Sequence, residues 1–172
     1  MTTNWTELGE KIGAISEDGE SGSSVYASIA FEEILGQEWI ENTVEHIVAL
    51  KFKLGQELAM NCLKLIHSQK AVQYAYNIYK SSNGERASQA VWLIKQIAHP
   101  FSYGYIEEFL DDDNVKGWGI GVLDKLLWEE QIQYDSKVEH LLQLAEGKGN
   151  EDLQGQVNFI REYLGERGNN SR

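Results

Sequence analysis

Residues 84–128 read GERASQAVWLIKQIAHPFSYGYIEEFLDDDNVKGWGIGVLDKLLW, and this stretch decides the fold. Ala87, Ala90, Val91, Ile94, Ile97 and Ala98 recur at helical spacing and form an amphipathic stripe. His99-Pro100 ends that helix, because proline pushes the residue before it out of the α region. Ile106, Phe109 and Leu110 mark a short return helix, the acidic turn Asp111–Asn114 follows, and a third helix starts after Val115. Setting Arg86 over Lys116 places Ala90 over Ile120, Leu93 over Leu123 and Ile97 over Leu127, an offset of 30 each time. The same step back from Leu93 reaches Leu63 in ELAMNCLKLI. A period of this length built from paired helices predicts a stacked helical repeat.

The third helix contains Gly117, Gly119 and Gly121. Each costs about 1 kcal/mol relative to alanine in a helix interior. Gly117 and Gly121, four apart, share a face, so the spacing predicts that they admit a neighbouring helix or an aromatic ring.

Outward from this stretch the helical pattern continues. A single proline, abundant Leu, Ile and Ala, and helical spacing nearly everywhere predict one all-α domain over 1–172, with nine or ten helices. They stack as antiparallel hairpins joined by short turns. A short N-terminal helix gathers Trp5, Leu8, Ile12 and Ile15, and the glycine-rich polar run 16–24 (SEDGESGSS) is expected to be the most mobile segment. A helix from Ser24 ends at Gly36, and the next buries Ile40, Val44, Ile47 and Val48. The helix carrying Leu58, Cys62, Leu65 and Ile66 is apolar around much of its circumference, which predicts a central position. Ser82-x-x-Glu85 and Ser136-x-x-Glu139 have capping-box spacing, and the Asp run before Val115 suits a helix N-terminus. The last helix buries Leu153, Val157, Ile160 and Leu164, and residues 165–172 are expected to fray.

The formal charge of -12 repels nucleic acid and anionic membranes and favours basic partners. No apolar run is long enough to cross a bilayer, no signal-peptide pattern opens the chain, and Cys62 is the single cysteine, so a cytoplasmic setting is expected. His46, His67, His99 and His140 are scattered and make no metal-ligand spacing with one another or with Cys62. The neighbouring pairs Glu32-Glu33, Glu107-Glu108 and Glu129-Glu130 point about 100° apart on a helix, unlike an acid/base pair. Neither a nucleophile elbow nor a phosphate-binding glycine loop is present. The expectation is therefore a protein that is not an enzyme, with no catalytic residue, cofactor or metal.

What remains is acid interleaved with aromatics. Tyr103, Tyr105, Glu107, Glu108, Asp111, Asp112, Asp113 and Trp118 fall in one repeat, and Glu129, Glu130 and Tyr134 fall at the next turn, beside Trp128 and Asp135. Aromatics anchor interfaces and clustered charge speeds encounter with an opposite charge, so these residues are the candidate partner-binding site. The competing account makes Trp118 and Trp128 core residues and the Asp run a helix cap.

The segment Leu110–Leu127, LDDDNVKGWGIGVLDKLL, resembles a HEAT repeat. In that family an aspartate-containing turn leads into Val-Arg or Val-Lys and a small-residue, leucine-containing helix; here Asp113, Val115, Lys116, Gly119 and Leu123 hold those places. Gly119 stands where alanine is usual, and Lys116 replaces the commoner arginine. The resemblance covers 84–128 best and 55–80 weakly. A small, acidic, HEAT-like chain is also similar to the helical immunity proteins of bacterial toxin systems, contact-dependent growth inhibition among them. That likeness implies tight binding to a cognate toxin domain, a basic nuclease above all, and coverage of its active site. On this reading, neutralising Glu107, Asp111 and Asp112 slows association and flattens its salt dependence. The alternative is a HEAT-like scaffold or regulator holding a host protein or peptide in its concave face. Of the enzymes in the HEAT-like class, the DNA-glycosylase branch conflicts with the charge, and no residue supports the bilin-lyase branch.

Overall fold

A computed structural model describes residues 3–51, 53–148 and 151–170, with side chains as far as residue 166. Ten α-helices follow one another: α1 Trp5–Ile12, α2 Ser24–Leu35, α3 Gln37–Ile47, α4 Gln56–Leu65, α5 Gln69–Ser81, α6 Gly84–Ile97, α7 Ile106–Asp111, α8 Lys116–Trp128, α9 Ser136–Gly147 and α10 Glu151–Asn170. A 3-10 turn, Pro100–Tyr105, leads into α7. The one sheet among the described residues is a hairpin of two-residue strands at the start of the glycine-rich run, β1 Ile15–Ser16 against β2 Gly19–Glu20. The stretch from Gly165 continues α10 to Asn170, and Ser171 and Arg172 lie outside the described residues.

The helices pair as hairpins, α3 with α4, α5 with α6, α7 with α8 and α9 with α10, and the hairpins stack in two layers. In the inner layer α4 packs on α6, α6 on α8, and α8 on α10. In the outer layer α3 packs on α5 and α7 on α9, with the 3-10 turn meeting α5. Leu63, Leu93 and Leu123 are each fully buried at the same level of successive inner helices, as their 30-residue spacing predicts. Trp118 Nε1 donates to Ser88 Oγ at 2.8 Å across the same interval. His67, Ala98 and Glu130, just past the ends of α4, α6 and α8, all take the left-handed conformation, with φ of 48, 53 and 57°. Where α4 and α8 end, a return bond closes the last turn, from Ser68 N–H to Leu63 C=O and from Gln131 N–H to Leu126 C=O.

Three expectations need correction. α4 is not central: its buried residue is Leu63, while Leu58 and Leu65 face solvent, because no further inner-layer helix covers that side. The proposed capping boxes are displaced by nearer residues: Asn83 is the N-cap of α6 without a side-chain bond, and Asp135 caps α9 by accepting from Val138 N–H. The glycine that admits a neighbour is Gly119. A Cβ there would stand 2.7 Å from Phe109 Cβ, whereas one at Gly117 meets nothing and one at Gly121 meets the flexible chain of Lys95.

α2 is joined to the stack by one buried carboxylate. Glu32 accepts from Ser68 Oγ and from Lys70 N–H, and Ser68 Oγ in turn accepts from Ala71 N–H. The acid thus satisfies donors at the N-terminus of α5, where the helix dipole also favours negative charge.

Candidate functional site

The sequence-predicted site divides between the two edges of the stack. Asp112 and Asp113 lie in the α7–α8 turn at one edge; Glu129, Glu130 and Tyr134 lie in the α8–α9 turn at the other. Glu107, Glu108 and Asp111 ride on α7 in the outer layer, and Trp118 lies in the inner layer. They do not form one continuous patch.

Nor does the acidic turn carry free charge in proportion to its acids. Glu108 takes hydrogen bonds from Lys80 Nζ and Tyr76 Oη, which hold its carboxyl below the ordinary range against the opposing effect of burial. Asp111 pairs with Lys148 at 2.7 Å and Asp113 with Lys116 at 2.8 Å. Asp112 accepts from Asn114 N–H and from Tyr79 Oη, so it closes an Asx turn and caps no helix with its side chain. Glu129 pairs with Lys125 at 2.6 Å, and among the described residues Glu107 has only His140, at 3.9 Å.

The aromatics are similarly engaged. Tyr105 stacks on Tyr76 with centroids 3.7 Å apart, and both pack around buried Phe109. Tyr103 donates to Asp135 and lies under Lys137; burial raises its phenol pKa first, and the Asp135 bond adds to it. Trp118 is partly exposed beneath Lys95, and Tyr134 is exposed while donating to Glu139. Tyr105 is therefore a packing residue, whereas Trp118, Glu107 and Tyr134 still show contact area to solvent.

The larger electrostatic feature is at the opposite end of the stack. Residues 1–45 contain ten acids and one cation, Lys11, whereas the remainder contains seventeen acids and fourteen cations. Nine of the twelve surplus negative charges therefore belong to α1, α2, α3 and the loop between α1 and α2. Among the described residues, cations reach only two of these ten acids: Lys11 and Lys70 at Glu33, and Arg86 at Glu45. Those two lysines lower the Glu33 pKa to about 2. Glu10, Glu17, Asp18, Glu20 and Glu38 face solvent, with Trp5, Val25, Phe31 and Ile34 exposed on the same helices. A running charge count along the sequence carries this signal; local density of acids, which picks out 107–113, does not.

Between α2 and the turns at the far edge lies a cleft of about 480 Å³ lined by Glu32, Leu65, His67, His99 and Gln131 among others. His67 Nε2 bonds Ala98 C=O, its ring lies 4.8 Å from that of His99, and His99 Nδ1 accepts from Phe101 N–H. Burial pushes the His99 pKa down to about 4, with His67 acting in the same direction. The unfolded chain, with His near 6.5, binds this proton first, so the contribution of His99 to stability is full above that value and is lost as pH falls toward 4. His99→Asn keeps an acceptor for Phe101 N–H and removes the titration. Its urea midpoint is expected to fall less than that of the wild type between about pH 7 and about pH 4.5; equal falls would dismiss His99 as the cause.

Among the described residues no group of three or more His, Cys, Asp or Glu is placed to hold a metal ion, and no helix is long and apolar enough to cross a membrane. Compared with protein-family models, with curated proteins and with solved structures, the chain matches none of them.

Proposed function

We propose that this protein binds a basic protein domain and acts as an immunity protein, neutralising a cognate bacterial toxin of the nuclease kind by covering its active site. One observation carries the reading: an all-α stack concentrates nine of its twelve surplus negative charges, with exposed aromatic and aliphatic side chains, at one end. A nuclease must attract phosphate, so its active site is cationic. An anionic surface competes for that site and raises the association rate by long-range attraction. Apolar side chains within the same surface supply the short-range contacts that slow dissociation.

The test is co-expression with a basic nuclease toxin domain, scored by rescue of growth and by co-purification. Association kinetics of the purified pair then locate the charge. Replacing Glu10, Glu38 and Glu41 with glutamine is expected to slow association roughly tenfold at low salt and to flatten its salt dependence. Asp111→Asn with Asp113→Asn is expected to change the rate less than about twofold, because both acids are already paired. A rate that ignores salt and both sets of substitutions would remove electrostatics from the account.

A second reading, a scaffold holding a host protein or peptide, draws on a trough of about 500 Å³ between α4 and α6, whose lining includes Leu50, Met60, Trp92, Glu57 and Glu85. An extended peptide that protects Trp92 from quenching, with no rescue from any toxin, would favour it.

A further inference from the structure

The inner layer stops abruptly. Each of α6 and α8 is packed on both sides, and α10 closes the C-terminal end with Gln156, Asn158 and Glu162 outward and Phe159 as its one strongly exposed large apolar side chain. Stacked helical proteins require such polar ends to stay soluble. The other end, α4, exposes Glu57 and Asn61 but leaves large leucines uncovered beside them. Leu54 just ahead of the helix is 86% exposed, Leu58 70% and Leu65 86%. Leu58 and Leu65, seven residues apart, lie on one stripe of α4, and Leu54 is exposed in the turn just before the left-handed N-cap Gly55. α2 stands beside this stripe without closing it, and its Val25 and Ile29 share the 480 Å³ cleft with Leu65.

We infer that a helix of the basic partner stacks against α4 in the place of one more inner-layer helix. Its apolar face lies on Leu54, Leu58 and Leu65, and its Lys/Arg flank lies over α2 and α3. The inference rests on the proposed binding of a basic domain and says which surface takes it and in what form. Charge selects this occupant. The neighbouring α1–α3 carry the nine-charge surplus, so a second copy of the chain docking here would bring two strongly anionic ends together. Lys51 and Lys53 flank the Leu54 end of the stripe, which assigns the partner's cations to the opposite flank. An amphipathic helix laid on an apolar surface is an established mode of recognition, and here the surface runs along the ten residues of α4.

The probe is a synthetic amphipathic peptide of leucine and lysine at helical spacing, titrated into the full chain and followed by calorimetry. Leu58→Gln with Leu65→Gln is expected to weaken binding at least tenfold while leaving the melting temperature unchanged, since both side chains are already exposed. Asp111→Asn with Asp113→Asn is expected to leave binding within twofold. A peptide of the same composition, scrambled to abolish its apolar face, is expected to bind as weakly as the wild-type peptide binds the double-glutamine protein. Undiminished binding by the double-glutamine protein overturns the inference. So does light scattering that finds a dimer of the free chain which the two glutamines dissolve, since the stripe would then belong to a second copy. The toxin rescue assay separates the two readings. A toxin neutralised equally well by the double-glutamine protein leaves the function and removes the surface. Peptide binding at the stripe with no basic toxin neutralised leaves the surface and removes the function.

Discussion

Phe109→Ala is expected to destabilise the protein by about 4 kcal/mol. Phe109 is fully buried on α7, and three tyrosines surround it: Tyr79 edge-on at 5.0 Å between centroids, Tyr76 at 6.2 Å and Tyr105 at 6.3 Å. Truncation loses the transfer energy of the ring and leaves a cavity whose walls are held from elsewhere. Tyr76 is tied to Glu108, Tyr79 to Asp112, and Tyr105 to the 3-10 turn, so the site cannot collapse cheaply. The tyrosine hydroxyls report the same packing. Burial first, and then the Glu108 bond, pushes the Tyr76 phenol up to about 12, and burial likewise raises Tyr79. Equilibrium urea unfolding measures the loss. A change below about 1 kcal/mol would mean that α7 is not part of the cooperative core.

Gly119→Val is expected to cost about 3 kcal/mol, and Gly119→Ala somewhat less. Alanine is the better helix former by about 1 kcal/mol, so the sign depends on what the new Cβ meets. Here it meets main chain as well as side chain: Phe109 Cβ at 2.7 Å, Phe109 C at 3.2 Å and Leu110 N at 3.3 Å. Relief therefore requires α7 and α8 to move apart, which loosens Phe109 as well. Gly117→Ala, in the first turn of the same helix, is the control: its Cβ would enter open space, so the intrinsic preference acts alone and raises stability by about 0.5 kcal/mol. Paired melts of the two variants in opposite directions would confirm that close approach, and not glycine as such, is what α8 requires. Stabilisation by both would dismiss the close packing of α7 on α8.

These glycines show where sequence reasoning stops. The 30-residue period is legible because burial repeats with it, and Leu63, Leu93 and Leu123 occupy equivalent buried places. Helical periodicity also identifies which residues share a face. It does not identify which face meets the preceding helix, so the spacing singles out Gly117 and Gly121 where the packing requires Gly119. The pairing of the acidic turn is hidden in the sequence for a related reason. Its acids are adjacent in sequence, but Lys80 of α5 and Lys148 just past α9, which pair with Glu108 and Asp111, come from 28 and 37 residues away. The apolar surface of α4 was plain in the sequence; its exposure depends on the absence of a further inner helix, which composition does not report.

The buried residues of the stack are distributed unevenly, and this affects how the chain moves. α1 buries only Gly9 and α2 only Glu32, whereas α6 buries six residues and α8 seven. Amide hydrogens in α1 and α2 should accordingly exchange by local opening, while those in α6 and α8 should wait for global unfolding. The end proposed to attract a partner is thus also the end expected to open most readily. Part of any binding energy there is spent on ordering it, and deuterium uptake in residues 5–35 becomes a direct measure of occupancy.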